Sequence, residues 1–331
     1  MLNIKEEIIV NENVAEFVRK PDYVILHNPC DFGMKEFFEN IDNKNNLKEK
    51  YLFREIPNNK IFNEEHKEYF RKLKENGVNV IYLKDLLDKD FIEKNKKIFE
   101  NNPNQVYTRD ALITIPWIPG KYIVGKMKSE IRRKEYIMLE EAVKKLGLTE
   151  LIKIPDGMFL EGGDVIPFEY DGKKVLLIGY ERRTSKETLY YLRDNLINEG
   201  LVDEIIGIRL AEWRINLDGG FVPVSKDIIV THPDSILDGL ILTKESETII
   251  NPIEYFKSIG YKIIATTKED SLFKQTCNCF CAGNNTIFTY NVTDEINEKI
   301  RENGVNVIGN KGLELVKGTG GPRCMTRPIY M

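Results

Sequence analysis

The chain has 331 residues, of which 42% are hydrophobic and 30% are charged, as is typical of a soluble globular protein of one large domain or two ordinary ones. Its formal net charge of −4 and its lack of a long basic run argue against nucleic-acid binding and against attraction to an anionic membrane.

The N-terminal segment, MLNIKEEIIVNENV, contains acids and asparagines and lacks the apolar centre of a signal peptide. No window of the sequence approaches the roughly 18 apolar residues of a membrane span. Five cysteines without the spacing of a disulfide framework predict a reducing, cytoplasmic location.

A unit of helix, glycine and strand recurs five times along the chain. KENGVNVI at 74–81 and RENGVNVI at 301–308 are nearly identical, and KKLGLTELIKI, INEGLVDEIIGI and KSIGYKII are weaker copies. In each copy an amphipathic run ends at a glycine, which predicts a left-handed residue that closes a helix. A run rich in Val and Ile follows and predicts a buried strand. The glycines are Gly77, Gly147, Gly200, Gly260 and Gly304.

These units favour a single α/β domain over residues 1–331. Their spacing is too irregular for a solenoid and suits five modules with different loops, and no Pro/Gly/Ser-rich linker divides the chain. Five modules can close into a ring around a central site. The most polar segment, DKDFIEKNKKIFENNPNQ at 88–105, predicts a surface insertion.

Four phrases in the loops place a carboxylate or a thiol next to glycines or next to the start of a strand. Catalytic groups are often mounted at such positions, although each phrase alone is compatible with an ordinary turn or a packed residue. It is the four together that favour a site. The phrases are YTRDA with Asp110, FLEGGDV with Glu161 and Asp164, RINLDGGF with Asn216 and Asp218, and GGPRCMT with Arg323 and Cys324.

In this order the four phrases resemble the guanidine-modifying enzymes, which include arginine deiminases, dimethylarginine dimethylaminohydrolases and arginine amidinotransferases. The resemblance runs from VILHNP, which follows Tyr23, to the C-terminus, and GGPRCMT is closest to arginine deiminases. It implies a five-bladed α/β propeller of ββαβ modules, the pentein fold. It also implies a cysteine-dependent hydrolase that converts arginine or a related guanidino amino acid, its small-molecule partner, without a metal or an organic cofactor.

The resemblance assigns roles to individual residues. Cys324 corresponds to the nucleophile, with Arg323 beside it favouring the thiolate. Asp110, Asp218 and Glu161 correspond to the carboxylates around the guanidinium. We also place Asp164 and Arg323 in the substrate-binding set.

Two further arginines resemble clamps for a substrate carboxylate. Arg132 and Glu135 in IRRKE match the family's R-x-x-E, and Arg183 in YERRT matches its ERT phrase. The alternative is that both arginines are solvated residues of helix faces.

The chain departs from the family at Asn216, where a histidine is expected as the proton donor and acceptor. Asparagine does not titrate, and loss of a general acid or base costs about 10²–10⁴ in rate. Three alternatives follow. The protein is a hydrolase that obtains its proton from another group, for example a tyrosine. Otherwise it is an amidinotransferase, or a binding protein without catalysis. The sequence is compatible with a homo-oligomer.

The phrase CNCFC at 277–281 carries three cysteines at alternate positions. On a strand they would all face one side, whereas a zinc site favours C-x-x-C pairs with further ligands. We therefore expect a packed strand face here and no metal centre.

Overall fold

The computed structural model describes residues 15–31, 47–98, 100 and 102–331. Segment 1–14, for which the sequence predicts no signal peptide, lies outside the described residues. Within the described ranges, no helix has the length and apolar character needed to cross a membrane.

The strands are short and are distributed along the whole described chain. They are β1 (Tyr23–Leu26), β2 (Val80–Tyr82), β3 (Leu112–Ile113), β4 (Lys121–Val124), β5 (Thr149–Glu150), β6 (Val165–Tyr170), β7 (Lys173–Tyr180), β8 (Glu204–Leu210), β9 (Phe221–Pro223), β10 (Ile228–Thr231), β11 (Ile236–Leu242), β12 (Glu247–Ile250), β13 (Lys262–Ala265), β14 (Phe280–Cys281), β15 (Thr286–Tyr290), β16 (Asn306–Asn310) and β17 (Arg327–Ile329).

The helices lie between these strands. They are α1 (Leu47–Tyr51), α2 (Asn59–Glu75), α3 (Lys89–Asn95), α4 (Tyr136–Lys145), α5 (Lys186–Leu192), α6 (Pro252–Ser258), α7 (Lys268–Phe273) and α8 (Asp294–Glu302). Helix α5 continues into a π-helical turn, Arg193–Ile197.

The strands form five sheets that share one arrangement: β17-β1-β2, β3-β4-β5, β6-β7-β8, β9-β10-β13 and β14-β15-β16. In every sheet the central strand pairs antiparallel with the first strand of its trio and parallel with the third. A helix leads into each parallel strand, and the helices concerned are α2, α4, α5, α6 and α8. The predicted ββαβ modules are confirmed.

The five glycines of the repeat lie where the sequence predicts them. Each precedes the parallel strand of its module, and their φ angles range from 71° at Gly200 to 95° at Gly260. This left-handed conformation costs glycine little, because it has no Cβ to clash with the backbone, and it lets the chain leave the helix sharply.

The first sheet contains the last strand of the described chain. Strand β1 pairs with β17 on one side, Tyr23 opposite Ile329, and with β2 on the other, Val24 opposite Val80. The strand that follows Cys324 therefore completes the module formed by the first described residues, as closure of a five-bladed propeller requires.

Two features of the fold differ from the sequence-based expectation. The hairpin β11–β12 extends the third sheet to five strands, in the order β12-β11-β8-β7-β6, and no repeat predicts it. The segment predicted as a surface insertion, 88–105, ends in buried residues: Asn102 and Asn104 are 5% and 2% exposed. Their amides donate to Glu135 Oε1 and to the Tyr51 carbonyl, so polar side chains here serve internal hydrogen bonds.

Candidate active site

A polar or reactive side chain precedes the antiparallel strand of every module by one to three residues. Because the five modules share one topology, these equivalent positions converge, and all but Asp164 line one cavity of about 320 Å³. The residues are Asp110 before β3, Asp164 before β6, Asp218 before β9, Asn278 before β14 and Cys324 before β17.

Cys324 is half-buried at the wall of this cavity. Its Sγ lies 3.6 Å from Asp218 Oδ2 and accepts a hydrogen bond of 3.0 Å from Asn278 Nδ2. The backbone N–H of Cys324 donates to Asn278 Oδ1, also at 3.0 Å. Asn278 therefore fixes the backbone and the sulfur of the predicted nucleophile together.

The electrostatic environment of the thiol differs from the prediction. Burial, Asp218 and Asp110 raise the pKa of Cys324 well above its ordinary value, which favours the thiol over the thiolate. Arg323 does not line the cavity. Its fully buried guanidinium donates to Asp218 Oδ2 at 3.1 Å and to Glu16 Oε2 at 3.0 Å. The structure gives no support to the predicted contact between Arg323 and the substrate, because this guanidinium is completely buried and lies outside the cavity lining.

Asp218 lines the cavity and is held from behind by Arg323. Burial raises the pKa of Asp218, and the charge of Arg323 opposes that shift. Arg323 itself stays charged, because Glu16 and Asp218 outweigh the effect of its burial on its pKa. The carboxylate is thus oriented towards Sγ by an ion pair that the substrate cannot reach.

Asp110 is held in a similar way by Arg132. Arg132 Nη1 donates to Asp110 Oδ2 at 2.6 Å, and the backbone N–H of Gly163 donates to Asp110 Oδ1 at 2.8 Å. Arg132 also forms two hydrogen bonds, of 2.9 and 2.8 Å, with Glu135. The R-x-x-E pair is present and buried, but two carboxylates already occupy this guanidinium. Arg132 therefore positions Asp110 and also lines the cavity, and its contact with a substrate carboxylate stays a prediction.

Glu161 and Asn216 form a hydrogen-bonded pair. Asn216 lines the cavity, and its Nδ2 donates to Glu161 Oε2 at 3.2 Å. Glu161 is completely buried behind it and accepts from the backbone N–H of Lys128 at 3.1 Å. Asn216 thus occupies the space between a buried carboxylate and the cavity, where a titrating side chain could exchange protons.

Asp164 is structural, in contrast to the predicted substrate-binding role. It is completely buried, accepts from Thr184 Oγ1 at 2.7 Å and from the Leu217 N–H at 2.8 Å, and does not line the cavity. Burial and Glu161 raise its pKa well above the ordinary value. Asp164 joins the loop of Glu161 to the loop of Asp218.

No histidine lines the cavity, although all three belong to the described ranges. Burial lowers the pKa of His27 and His66 to about 3, so both stay neutral inside the protein. The cavity does contain a tyrosine, Tyr107, but its burial raises its pKa and its hydroxyl donates to the Leu315 carbonyl. None of these side chains replaces the missing histidine as a ready proton carrier.

Two residues that line the cavity, Asn278 and Arg214, were not predicted from the sequence. Asn278 stands within CNCFC, where the cysteines drew attention. Cys277, Cys279 and Cys281 are buried free thiols, and only the last of them belongs to a strand. The signal for Asn278 was its position before the fifth module's antiparallel strand, equivalent to that of Asp110. Arg214 lines the cavity two residues before Asn216.

Apolar and basic side chains form a further part of the cavity wall. Lys48, Arg54 and Arg183 line it together with Leu52, Trp213, Ile215, Leu272 and Phe273. Arg183 is 12% exposed, and its Nη1 lies 3.7 Å from Glu161 Oε1. Asp110 and Asp218 are the acidic side chains among the described lining residues.

The arginine deiminase family model matches residues 91–331 of the chain. Arginine deiminases of Bacillus cereus (strain ATCC 10987 / NRS 248) and Staphylococcus aureus (strain MRSA252) are 26% and 28% identical to it over 260 and 267 residues. Each alignment covers 69% of this chain and 62% of the relative. The chain thus spans less than two thirds of the length of these relatives.

Solved structures share the fold at lower identity. The product-bound N-terminal domain of ArgZ, an arginine dihydrolase from the Ornithine-Ammonia Cycle in Cyanobacteria, has a TM-score of 0.68 at 18% identity and covers 93% of this chain and 97% of its own. An adduct of dimethylarginine dimethylaminohydrolase with 4-chloro-2-hydroxymethylpyridine has a TM-score of 0.64 at 20% identity. The match covers 94% of this chain and 100% of that chain. These likenesses establish the five-module fold.

Proposed function

Because the chain belongs to the arginine deiminase family, we propose that it is a cysteine-dependent hydrolase of the guanidinium group of arginine or a related guanidino amino acid. Arginine would give citrulline and ammonia. The observation that carries the proposal is the position of Cys324 Sγ, 3.6 Å from Asp218 Oδ2 in a cavity that Asp110 also lines.

The two carboxylates suit a guanidinium. This cation is planar and offers pairs of N–H donors that carboxylates accept in bidentate fashion. Without a cation the two acids and a thiolate would repel one another, which agrees with the raised pKa of the free thiol. Binding of the guanidinium neutralises the acids and so favours the thiolate at the moment when it is needed.

The first half of the reaction needs no histidine for its proton balance. The sulfur attacks the guanidinium carbon, and a C–S bond forms as the bond to one NH₂ group breaks. The thiol proton passes through Asp218 Oδ2, 3.6 Å from Sγ, to the leaving nitrogen, which departs as ammonia. The product of this half is an amidino adduct on Cys324.

The second half requires a base for water. Water attacks the adduct carbon, the C–S bond breaks, the sulfur recovers a thiol, and one proton is released with the ureido product. Asp218 is the carboxylate in position to accept this proton, because Glu161 lies behind the amide of Asn216. We expect this half to be slow, and a slow release gives amidino transfer to an amine as the second candidate function.

The test is intact-mass spectrometry beside a product assay, with purified protein and arginine and with Cys324→Ala as the control. Citrulline and ammonia that are absent from the control would support the hydrolase. A stable adduct without product would point to a transferase, since attack would occur and an acceptor amine would be missing. Binding without any mass change would instead indicate a guanidino-binding protein.

We also propose a cytoplasmic location, since the five cysteines are free thiols and one of them is the proposed nucleophile.

A further inference from the structure

The connection between β16 and β17 carries Cys324 and is rich in glycine. We call this segment, residues 311–326, the thiol loop. Its glycines are Gly312, Gly318, Gly320 and Gly321. Residues 318–320 line the cavity. Because glycine restricts the backbone least, a segment of this composition keeps one conformation only where other parts of the chain fix it.

The thiol loop contains a strained residue at the cavity. Thr319 has a φ angle of 65°, a left-handed conformation that is unfavourable for a β-branched side chain. Its hydroxyl donates to the Leu52 carbonyl at 3.0 Å. Strain of this kind persists only where the surrounding structure determines the conformation, so the loop needs firm anchors.

Glu65, in helix α2, anchors the first part of the thiol loop. Its carboxylate accepts hydrogen bonds of 3.0, 2.9 and 3.0 Å from three consecutive backbone N–H groups, which belong to Leu313, Glu314 and Leu315. Glu65 is only 4% exposed. A buried carboxylate with three backbone donors is well satisfied, and it fixes the direction of the chain that donates to it.

Tyr69 anchors the same loop close to the thiol. It lies one helical turn after Glu65 on the same face of α2, and it is completely buried. Its hydroxyl donates to the Pro322 carbonyl at 3.1 Å, two residues before Cys324. One face of α2 therefore binds the N–H groups at the start of the thiol loop and a carbonyl near its sulfur.

Two other buried tyrosines make longer contacts with the thiol loop. The hydroxyl of Tyr107 donates to the Leu315 carbonyl, and that of Tyr290 donates to the Gly320 carbonyl, both at 3.4 Å. These bonds are weaker than that of Tyr69, because hydrogen bonds between oxygens weaken with distance. Helix α2 thus supplies the shorter of the tyrosine contacts and the carboxylate.

We infer that Glu65 and Tyr69 are positioning residues for Cys324, which hold the thiol loop so that the sulfur faces the two acids of the cavity. The inference rests on the proposed function. Asp110 and Asp218 precede strands of the second and fourth modules, and α2 belongs to the first. Loss of the α2 contacts should therefore misplace the sulfur and leave the acids that receive the guanidinium where they are.

The experiment separates the rate of attack from the affinity for arginine in Glu65→Gln and Tyr69→Phe. Single-turnover consumption of arginine should slow by about 10- to 100-fold, since misplacement of a reacting group by about 1 Å has effects of this size. Arginine affinity, measured by calorimetry in the Cys324→Ala background, should stay within about threefold of the parent. A variant that is only less stable, yet folded in the assay, changes neither quantity.

Glu204→Gln and Tyr122→Phe are the matched controls, because both side chains are buried and hydrogen-bonded in other modules. The Glu204 carboxylate accepts from Tyr170 at 3.1 Å, and the Tyr122 hydroxyl donates to Glu140 at 3.1 Å. Neither control should change the single-turnover rate by more than about threefold.

Amide hydrogen exchange tests the anchoring without any substrate. The N–H groups of residues 313–315 should exchange at least about tenfold faster in Glu65→Gln than in the parent, because they lose a charged acceptor. Their exchange in Glu204→Gln should match that of the parent. Rapid exchange of these three groups already in the parent would overturn the inference.

The inference is also overturned if folded Glu65→Gln and Tyr69→Phe proteins keep the single-turnover rate, or if rate and affinity fall together. Tyr69→Phe removes a single oxygen atom, so it decides the question if thermal unfolding shows that Glu65→Gln does not fold. These results would leave the hydrolase intact. A parent protein that neither binds nor converts arginine would instead reject the proposed function, and the positioning role with it.

Discussion

Glu16 and Arg323 form a buried ion pair behind the reactive thiol, with 3.0 Å between Glu16 Oε2 and Arg323 Nη2. Glu16 also pairs with Arg109 at 3.0 Å, and Arg323 pairs in turn with Asp218 at 3.1 Å. A carboxylate near the start of the described chain therefore holds the arginine that holds the acid of the active site. Arg323 and Cys324 are adjacent in sequence, but Cys324 lines the cavity whereas Arg323 is buried behind it.

Replacement of Glu16 by glutamine should destabilise the fold strongly. The change leaves Arg109 and Arg323 buried without their shared counter-charge, which typically costs about 3–5 kcal/mol. Urea unfolding of the two proteins measures the difference in free energy of unfolding. Glu254→Gln, which breaks the exposed pair with Lys257, should cost less than about 1 kcal/mol. A difference for Glu16→Gln as small as that of the control would contradict the prediction.

The contribution of Glu16 should also depend on pH. Burial alone would raise the pKa of Glu16, but Arg323, Arg109 and Arg327 together hold it below its ordinary value. A carboxyl whose pKa is lowered by folding stabilises the protein above its unfolded pKa, and this stabilisation is lost as pH falls through the folded pKa. The difference between parent and Glu16→Gln should therefore be constant near neutrality and shrink below about pH 4.5. A difference that grows on acidification would show the opposite sign.

Cys324 should react slowly with iodoacetamide in the free protein. Burial, Asp218 and Asp110 raise its pKa well above the ordinary value, so the reactive thiolate is scarce near neutrality. We expect the alkylation rate to keep rising beyond about pH 9. The measurement requires a Cys30→Ser background, because Cys30 is the exposed thiol, whereas Cys277, Cys279 and Cys281 are buried. A rate that levels off below about pH 8 would mean that the resting protein already holds a thiolate.

Asn278→Ala should lower both the reactivity of Cys324 and the rate of adduct formation by about tenfold or more. The amide donates to Sγ at 3.0 Å, and a hydrogen bond to a charged group is worth about 1.5–3 kcal/mol. Single-turnover mass spectrometry with arginine measures the rate. Asn278→Asp keeps the shape and the acceptor for the Cys324 N–H but replaces the donor with a carboxylate. It should be at least as slow, and an Asp variant as fast as the parent would remove the donor role.

Asn216→His should raise turnover. A histidine at this position can donate one ring nitrogen to Glu161, 3.2 Å from the present amide, and turn the other to the cavity. Because an added acid or base contributes about 10²–10⁴ at best, a gain of about tenfold is a realistic expectation in an unadapted site. Steady-state citrulline assays measure it. Glu161→Gln in the same background should cancel the gain, and no gain would indicate that Asp218 already carries the proton.

The fold was predictable because its determinants are local. Each module ends its helix at a glycine such as Gly77 or Gly304, and a Val/Ile-rich strand follows within the same few residues. The hairpin β11–β12 was not predictable from the repeat, because it occurs once and adds to the edge of a neighbouring module.

The site was only partly predictable, because the role of a charged residue depends on its partners across the chain. Cys324, Asp110, Asp218 and Asn216 line the cavity as expected. The contact of Arg132 with Asp110 was not predicted, because the two residues are 22 positions apart and the motif contains only Glu135. Asn278 was missed because no charge or reactive group marks it, and only the equivalence of the modules identifies its position.

The order in which a ribosome makes this chain has a consequence for its chemistry. Cys324 and β17 are synthesised after the residues that supply every carboxylate of the site, and β17 is also the strand that completes the first sheet. When only the other four modules have left the ribosome, the nascent chain has neither the thiol nor the closed ring. The reactive sulfur and the structure that shields it arise together, so translation never exposes an assembled nucleophile on an open scaffold.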